Sequence, residues 1–306
     1  MTTITPVGDV QKSPSDWGSS YRLIASEKWK AKSAAMGRDV TEALVAYANP
    51  QLGMKVLDLA SGTGEPAIAV ASRIGPEGHL TALDVSSELL QIASDRAQQR
   101  GLTNVSVRQA DAHHLPFPDA TFDLVTSRFG VMFFEDAVGA LGEANRVLKP
   151  GGRACFLAWG TFEQPFWQSN MGVVVEHIGG PALVPGGPDP FKFAQSGSLS
   201  SALQQAGFRE IEEQTRQIPW TWPGTAEEVW EQARAVATPF LPLLDRIPAD
   251  KWDEINRDVH RAINCYRDGD CIKFGALVTL ASGRKINHQG HEVTPGNLRG
   301  TEPSRP

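Results

Sequence analysis

The sequence predicts an α/β fold: a mostly parallel sheet with helices on both faces and helical insertions that cover it. Three observations carry this. From Lys55 to Trp159 short apolar runs alternate with helical patterns, the rhythm of strand–helix–strand units whose strands are buried on both faces. The first of those strands runs directly into a glycine-rich turn and a further helix. Outside this stretch helical periodicity returns in two blocks, at 17–48 and 221–270.

Taken in order, residues 1–16 are polar and contain Pro and Ser, with too few apolar groups to form a core, and are expected to be flexible. In 17–48, Trp17, Tyr21, Ile24 and Lys28 or Trp29, then Val40, Ala43, Leu44 and Tyr47, recur at helical spacing and predict two amphipathic cover helices ended by Asn49-Pro50. The core, 51–160, reads as strands at Lys55–Ala60, His79–Asp84, Val105–Gln109, Phe122–Ser127 and Arg153–Trp159, with helices near Pro66–Ile74, Ser87–Arg100 and Ala137–Leu148. An insertion at 161–197 contains the Gly/Pro-rich loop 180–190, a candidate gate. It is followed by a helix at Ser198–Ala206 and strands at Arg209–Trp220 and Ile272–Leu280. Between those strands, 221–270 has two helical patterns, suited to a substrate cover. One domain is expected over 17–282. The segment 283–306 has almost no apolar residues and is expected to be disordered.

Bulk properties exclude several function classes. A chain of 306 residues with 41% hydrophobic and 21% charged residues can bury a sizeable core. The net charge of −6 argues against nucleic acid as the partner. Cys155, Cys265 and Cys271 are too few and too irregularly spaced for a disulfide framework or a zinc site, so no metal is expected. The beginning of the chain lacks a basic, apolar leader and no run reaches membrane-spanning length. A soluble, cytoplasmic protein acting on a small molecule is the expectation.

The chemistry concentrates at strand ends. Asp58 lies on the first strand, followed by Ala60-Ser61-Gly62-Thr63-Gly64, whose glycines permit backbone conformations and ligand approaches that a side chain would block. Gly62-x-Gly64-x-x-Ala67 also matches a dinucleotide fingerprint, so an NAD(P)-dependent oxidoreductase is the alternative enzyme. The Asp58 carboxylate can balance a cationic ligand, directly or through water. Twenty residues past Gly64, Asp84-Val85 end the second strand, where a carboxylate accepts hydrogen bonds from both ribose hydroxyls. Asp111-Ala112-His113 follow the third strand, at the height of an adenine whose amino group needs an acceptor. A pair of adjacent histidines in a polar loop, His113-His114, is read as a solvated bystander, with His113 brushing the adenine. No general base is assigned.

The stretches VLDLASGTGEPA (56–67), LTALDVSSELL (80–90), DAHHLPFPDATFDLV (111–125) and NRVLKPGGR (145–153) resemble the successive motifs of class I S-adenosylmethionine-dependent methyltransferases, most closely the ubiquinone/menaquinone biosynthesis C-methyltransferase-like (methyltransferase type 11) group. The resemblance covers residues 37–160. It implies a Rossmann-like, seven-stranded sheet with an antiparallel final hairpin and S-adenosyl-L-methionine as methyl donor. Residue by residue it assigns Ala60, Ser61, Gly62, Thr63 and Gly64 to the methionine end, Asp84 to the ribose, and Asp111 with Ala112 to the adenine. Two departures from the quinone enzymes stand out: Glu65-Pro66 follows the second glycine where Asp is usual, and Arg128 stands after the fourth strand where Ser is frequent. Arg128 is therefore a candidate contact for the donor carboxylate or an anionic acceptor. Tyr21, Trp29, Phe129 and Trp222 are the candidate acceptor contacts, drawn from an aromatic set that also includes Trp17, Phe133, Phe134, Phe162, Phe166, Trp167, Trp220 and Trp230. A small aromatic or apolar acceptor is expected. A scaffold that keeps the fold without turnover is the non-enzyme alternative.

Overall fold

The computed structural model describes residues 30–236 and 238–286. Trp17, Tyr21 and Trp29, the first of the expected cover helices and all but the start of the expected tail lie outside them. Two helices, α1 (Lys30–Met36) and α2 (Arg38–Ala48), open the described chain. Val40, Leu44, Val45 and Ala48 form the buried stripe of α2, which is the apolar spacing an amphipathic helix needs.

The core then alternates as its periodicity demands: β1 (Lys55–Leu59), α3 (Ala67–Ile74), β2 (His79–Asp84), α4 (Ser87–Gln99), β3 (Val105–Gln109), β4 (Phe122–Arg128), α5 (Ala137–Val147) and β5 (Leu148–Trp159). Ser86 caps α4 by accepting from the Leu89 N–H, and Asp136 caps α5 by accepting from the Gly139 N–H. A broken helix follows, α6 (Pro165–Trp167) passing through a π-turn at Gln168–Gly172 into α7 (Val173–Ile178). The chain closes with α8 (Ser198–Gln205), β6 (Arg209–Trp222), α9 (Ala226–Val236), α10 (Leu241–Leu244), α11 (Trp252–Asn264), a two-residue β7 (Arg267–Asp268) and β8 (Cys271–Arg284).

The strands form one sheet in the order β3-β2-β1-β4-β5-β8-β6, with β7 paired to β8. Neighbours from β3 through β5 are parallel, while β8 is antiparallel to both β5 and β6. This is the expected Rossmann-like methyltransferase sheet with one short strand added. It differs from the all-parallel dinucleotide fold, in which the sixth strand follows the fifth directly, so the oxidoreductase alternative loses its architecture.

Two local expectations are corrected. β5 begins at Leu148 rather than at Arg153: Leu148 pairs with Phe122, and the register shifts across Pro150-Gly151-Gly152 before Leu124 pairs with Arg153. The expected tail also begins too early, because β8 continues through Gly283 and Arg284, whose partners on β5 are Ala154 and Arg153. Lys285 then bonds through its backbone to Gly151 and Gly152.

Candidate functional site

All five parallel strands point the same way, so their C-terminal ends and the loops that follow share one edge of the sheet. A cavity of about 430 Å³ opens there, lined by Ala60 to Thr63 after β1, Asp84 and Val85 after β2, Ala110 to His113 after β3, Arg128 to Gly130 after β4, and Trp159 ending β5. Its volume suits a drug-sized ligand. Ser33, Met36 and Gly37 of the first helices close one side; Trp167, Trp220, Gln232 and Phe240 close another.

The turn after β1 is held from three directions, by Asp58, by Arg96 and, through the Gly62 N–H, by Asp84. Asp58 is fully buried, its carboxylate accepting from Ser61 Oγ at 2.5 Å and from Thr126 Oγ1 of β4 at 2.7 Å. It does not line the cavity, so the expectation that it meets a ligand itself is replaced by an indirect role through Ser61. Across the turn, Arg96 of α4 donates to the Thr63 carbonyl at 2.5 Å and pairs with Glu65 at 2.8 Å. Gly62 sits at φ +53°, and a Cβ there meets nothing within 4 Å, which places an open cradle inside the turn. Gly64 does not face the cavity: at φ +100°, its missing Cβ admits Ile68 and Ala93, so this glycine serves the packing of α3 and α4.

Burial pushes the Asp58 carboxyl up to about 7, against the opposing hydrogen bonds of Ser61 and Thr126 and the charge of Arg128, with Glu65 adding to the rise. From about pH 4 to about pH 7 the folded chain therefore keeps a proton that the unfolded chain has released. Stability falls as pH rises through that window and is level above it as far as this group is concerned. Asp58→Asn is expected to remove the Asp58 share of the slope and leave the share of Asp84, whose carboxyl is also raised by burial. Denaturant midpoints of wild type and variant at about pH 5 and about pH 8 check this, and an equal slope in both would contradict it.

Asp84 is buried at the end of β2, where it accepts from the Gly62 N–H at 2.9 Å and the Ser86 N–H at 3.0 Å. Desolvation raises its carboxyl above the ordinary value despite these bonds. Asp111 is the exposed member of the three. Burial is the largest single influence and raises it, but the backbone and ring donors of His113 and the charges of His113 and His114 together outweigh that and hold its carboxyl low. His113 Nδ1 lies 2.6 Å from Asp111 Oδ1, and its Nε2 accepts from the Asp136 N–H at 3.3 Å. That pattern assigns the proton to Nδ1. With both ring nitrogens engaged, His113 is a fixed wall beside Phe134 rather than a free base. The loop itself is clamped by Glu143, which accepts from the Leu115 N–H, and by Arg146, which donates to the carbonyls of Leu115 and Phe117.

The fourth edge departs from ordinary backbone. Ala60 (φ +51°) and Phe129 (φ +58°) both adopt left-handed conformations that side chains disfavour, and both line the cavity, the kind of strain that clusters at functional sites. Gly130 lies between them: a Cβ there would meet Ala60 Cβ and Ser127 Oγ at 2.6 Å. Arg128 donates to Thr41 Oγ1 at 2.6 Å and to the Gly37 carbonyl at 3.3 Å, tying β4 to the cover helices while reaching the cavity wall.

The remaining walls are aromatic. Phe129 stacks on Trp159 at 4.4 Å between centroids, and Trp159 meets Trp220 at 5.2 Å and Trp167 at 5.4 Å, both edge-on. Trp222 is corrected: it lies two residues farther along β6, about 6.6 Å beyond Trp220 on the same face. There it is fully buried, with its indole N–H donating to Glu228. Trp230 is core, bonded to Asn256, and His177 and His260 face Asp258 and Glu227 rather than the cavity. Trp159, Phe240, Gln232, Ser33 and Met36 were not marked by any local motif; only Trp159, at a strand end beside the others, carried a usable signal. Among the described residues no group of three or more His, Cys, Asp or Glu can hold a metal ion, and no helix is long and apolar enough to cross a membrane.

The sequence profile of the ubiE/COQ5 methyltransferase family matches residues 31–178. The ubiquinone/menaquinone biosynthesis C-methyltransferase UbiE of Cupriavidus metallidurans is 34% identical over 179 residues, 55% of this chain and 72% of that protein. Its namesake from Rhizobium etli is 32% identical over 197 residues, 58% and 74% of the two chains. Among solved structures, the YcgJ protein of Bacillus subtilis superposes with a TM-score of 0.54 at 23% identity, over 81% of this chain and 98% of that one, a likeness of fold.

Proposed function

This chain belongs to the ubiE/COQ5 methyltransferase family and is an S-adenosylmethionine-dependent methyltransferase, and on that premise we propose that it methylates a small, flat aromatic acceptor. The observation that carries the acceptor reading is the continuity of one cavity. Its glycine-turn and carboxylate end passes into a wall of Phe129, Trp159, Phe166 and Trp220 without a partition. The relatives' names, which speak of ubiquinone and menaquinone biosynthesis, make quinone-type rings the first acceptors to test.

The residues present fit the donor. All of them line the cavity, and the reading assigns Asp84 to the ribose hydroxyls, Asp111 and Ala112 to the adenine, and the Ala60 to Thr63 turn, with its open cradle at Gly62, to the methionine end. Arg128 lines the same cavity and is assigned to the donor carboxylate. When bound, S-adenosylmethionine supplies a methyl group on a sulfonium that departs as a neutral thioether. The chain's part is alignment and exclusion of water: Phe129 and Trp159 provide flat, dry faces against which a ring lies, and Gln232 of α9 and Phe240 of the 3-10 turn Thr238–Phe240 close over them. His113 is held at both nitrogens and is not assigned as a base; an electron-rich ring attacks the methyl group through its own π electrons and then gives up a ring proton, which passes to solvent.

The test is incubation with methyl-labelled donor and a metabolite extract, read by mass spectrometry. Label in flat aromatic metabolites is expected; label confined to macromolecules would overturn the proposal.

A further inference from the structure

Three buried polar atoms around the aromatic end of the cavity find no hydrogen-bond partner: Nε1 of Trp167, Nε1 of Trp220 and Oε1 of Gln232. Their residues are 7%, 8% and 4% exposed, and all three line the cavity. They come from three separate elements, α6, β6 and α9, so no single local distortion explains them together. An unmade hydrogen bond in such a place is costly, and native chains seldom leave one unless a ligand or ordered water completes it. The neighbouring indole of Trp222 shows the contrast: it is more deeply buried still and donates to Glu228.

We propose that Trp167, Trp220 and Gln232 read an oxygen substituent on the acceptor ring, and so make the site specific for neutral aromatics that carry a hydroxyl group. This rests on the acceptor reading of the cavity given above. Two indole N–H groups donate and cannot accept, so they call for an oxygen lone pair; the Gln232 carbonyl accepts, and calls for an O–H. A phenolic or quinol hydroxyl satisfies both demands, whereas a plain hydrocarbon ring satisfies neither. The walls around the trio, Trp159, Phe166, Pro239 and Phe240, carry no charge to compensate a carboxylate or phosphate. Discrimination of this kind is steep, because the wrong ligand leaves the site's own polar atoms buried and unpaired.

The test uses protein saturated with S-adenosylhomocysteine, nitrogen-15-labelled at its tryptophan indoles, and titrated with naphthalene, naphthol and methoxynaphthalene as ring-matched probes. Naphthol is expected to bind about tenfold or more tightly than naphthalene and to move the indole N–H resonances of Trp167 and Trp220, which naphthalene leaves in place. Methoxynaphthalene, which accepts but cannot donate, is expected to move the indoles yet bind more weakly than naphthol. In Gln232→Leu that difference is expected to vanish. Equal binding of naphthalene and naphthol, or naphthol binding with both indole resonances unmoved, would overturn the inference, and the wild-type titration decides this even if the variant fails to fold. Failure of the acceptor reading itself shows elsewhere, as absence of methyl transfer to any flat aromatic.

Discussion

Asp84→Ala is expected to weaken S-adenosylmethionine binding about 100-fold, roughly 3 kcal/mol, the loss of charge-assisted hydrogen bonds to two ribose hydroxyls. The same substitution also touches the apo protein. The carboxylate accepts from the Gly62 and Ser86 N–H groups, and alanine strands both donors at the mouth of the glycine turn, a further cost of about 1–3 kcal/mol in stability. Asp84→Asn separates the two effects: its amide oxygen keeps one acceptor for the turn while surrendering the charge and the second oxygen. Titration calorimetry on Asp84→Ala, Asp84→Asn and wild type, each with its denaturant midpoint, resolves them. Unchanged affinity in Asp84→Ala would remove this residue from the ribose role.

Gly130→Ala is expected to cost about 1–3 kcal/mol of stability and to abolish detectable donor binding, although it adds a single methyl group. The space is already taken: Ala60 Cβ and Ser127 Oγ both lie 2.6 Å from where the new Cβ would stand. Neither neighbour yields easily. Ser127 is buried in β4, and Ala60 holds a left-handed conformation at the start of the glycine turn, so relief comes only by moving the turn proposed to hold the donor. Gly142→Ala provides the control. Gly142 lies inside α5 and a Cβ there meets nothing within 4 Å, so alanine is expected to be neutral or to stabilise by up to about 1 kcal/mol. Thermal melts and donor titrations of the two variants check the contrast; a Gly130→Ala protein with wild-type affinity would show that the β4 end and the donor turn are not coupled.

Much of the strand-end wall of the cavity was legible in the sequence because each part is local. A strand followed by a glycine turn, or a strand ended by a carboxylate, is a pattern of about ten residues, and parallel strands bring every such end to one edge. Asp84, Asp111 and the Ala60 to Thr63 turn were readable for that reason. Asp58 shows where local reading stops. Its place on β1 was plain, but whether its carboxylate faced a ligand depended on Thr126, 68 residues away across the sheet.

The aromatic end of the cavity was far less legible, since its walls are assembled from distant pieces. Trp159 stacks on Phe129, which ends a different strand, and Trp220 joins them only because β8 threads antiparallel between β5 and β6. Trp220 and Trp222 have the same face and the same local composition; the cavity simply ends between them. Gln232 and Phe240 sit in cover helices whose apolar spacing predicts helices but gives no sign of which residue turns inward.

The measurement that bears most directly on the central claim, that one cavity presents the donor's methyl group to an aromatic acceptor, is the labelled-donor incubation followed by chemical fractionation. Label recovered in small aromatic compounds, lost in Asp84→Ala, is the result this account predicts. Label recovered only in RNA, protein or aliphatic metabolites would contradict it.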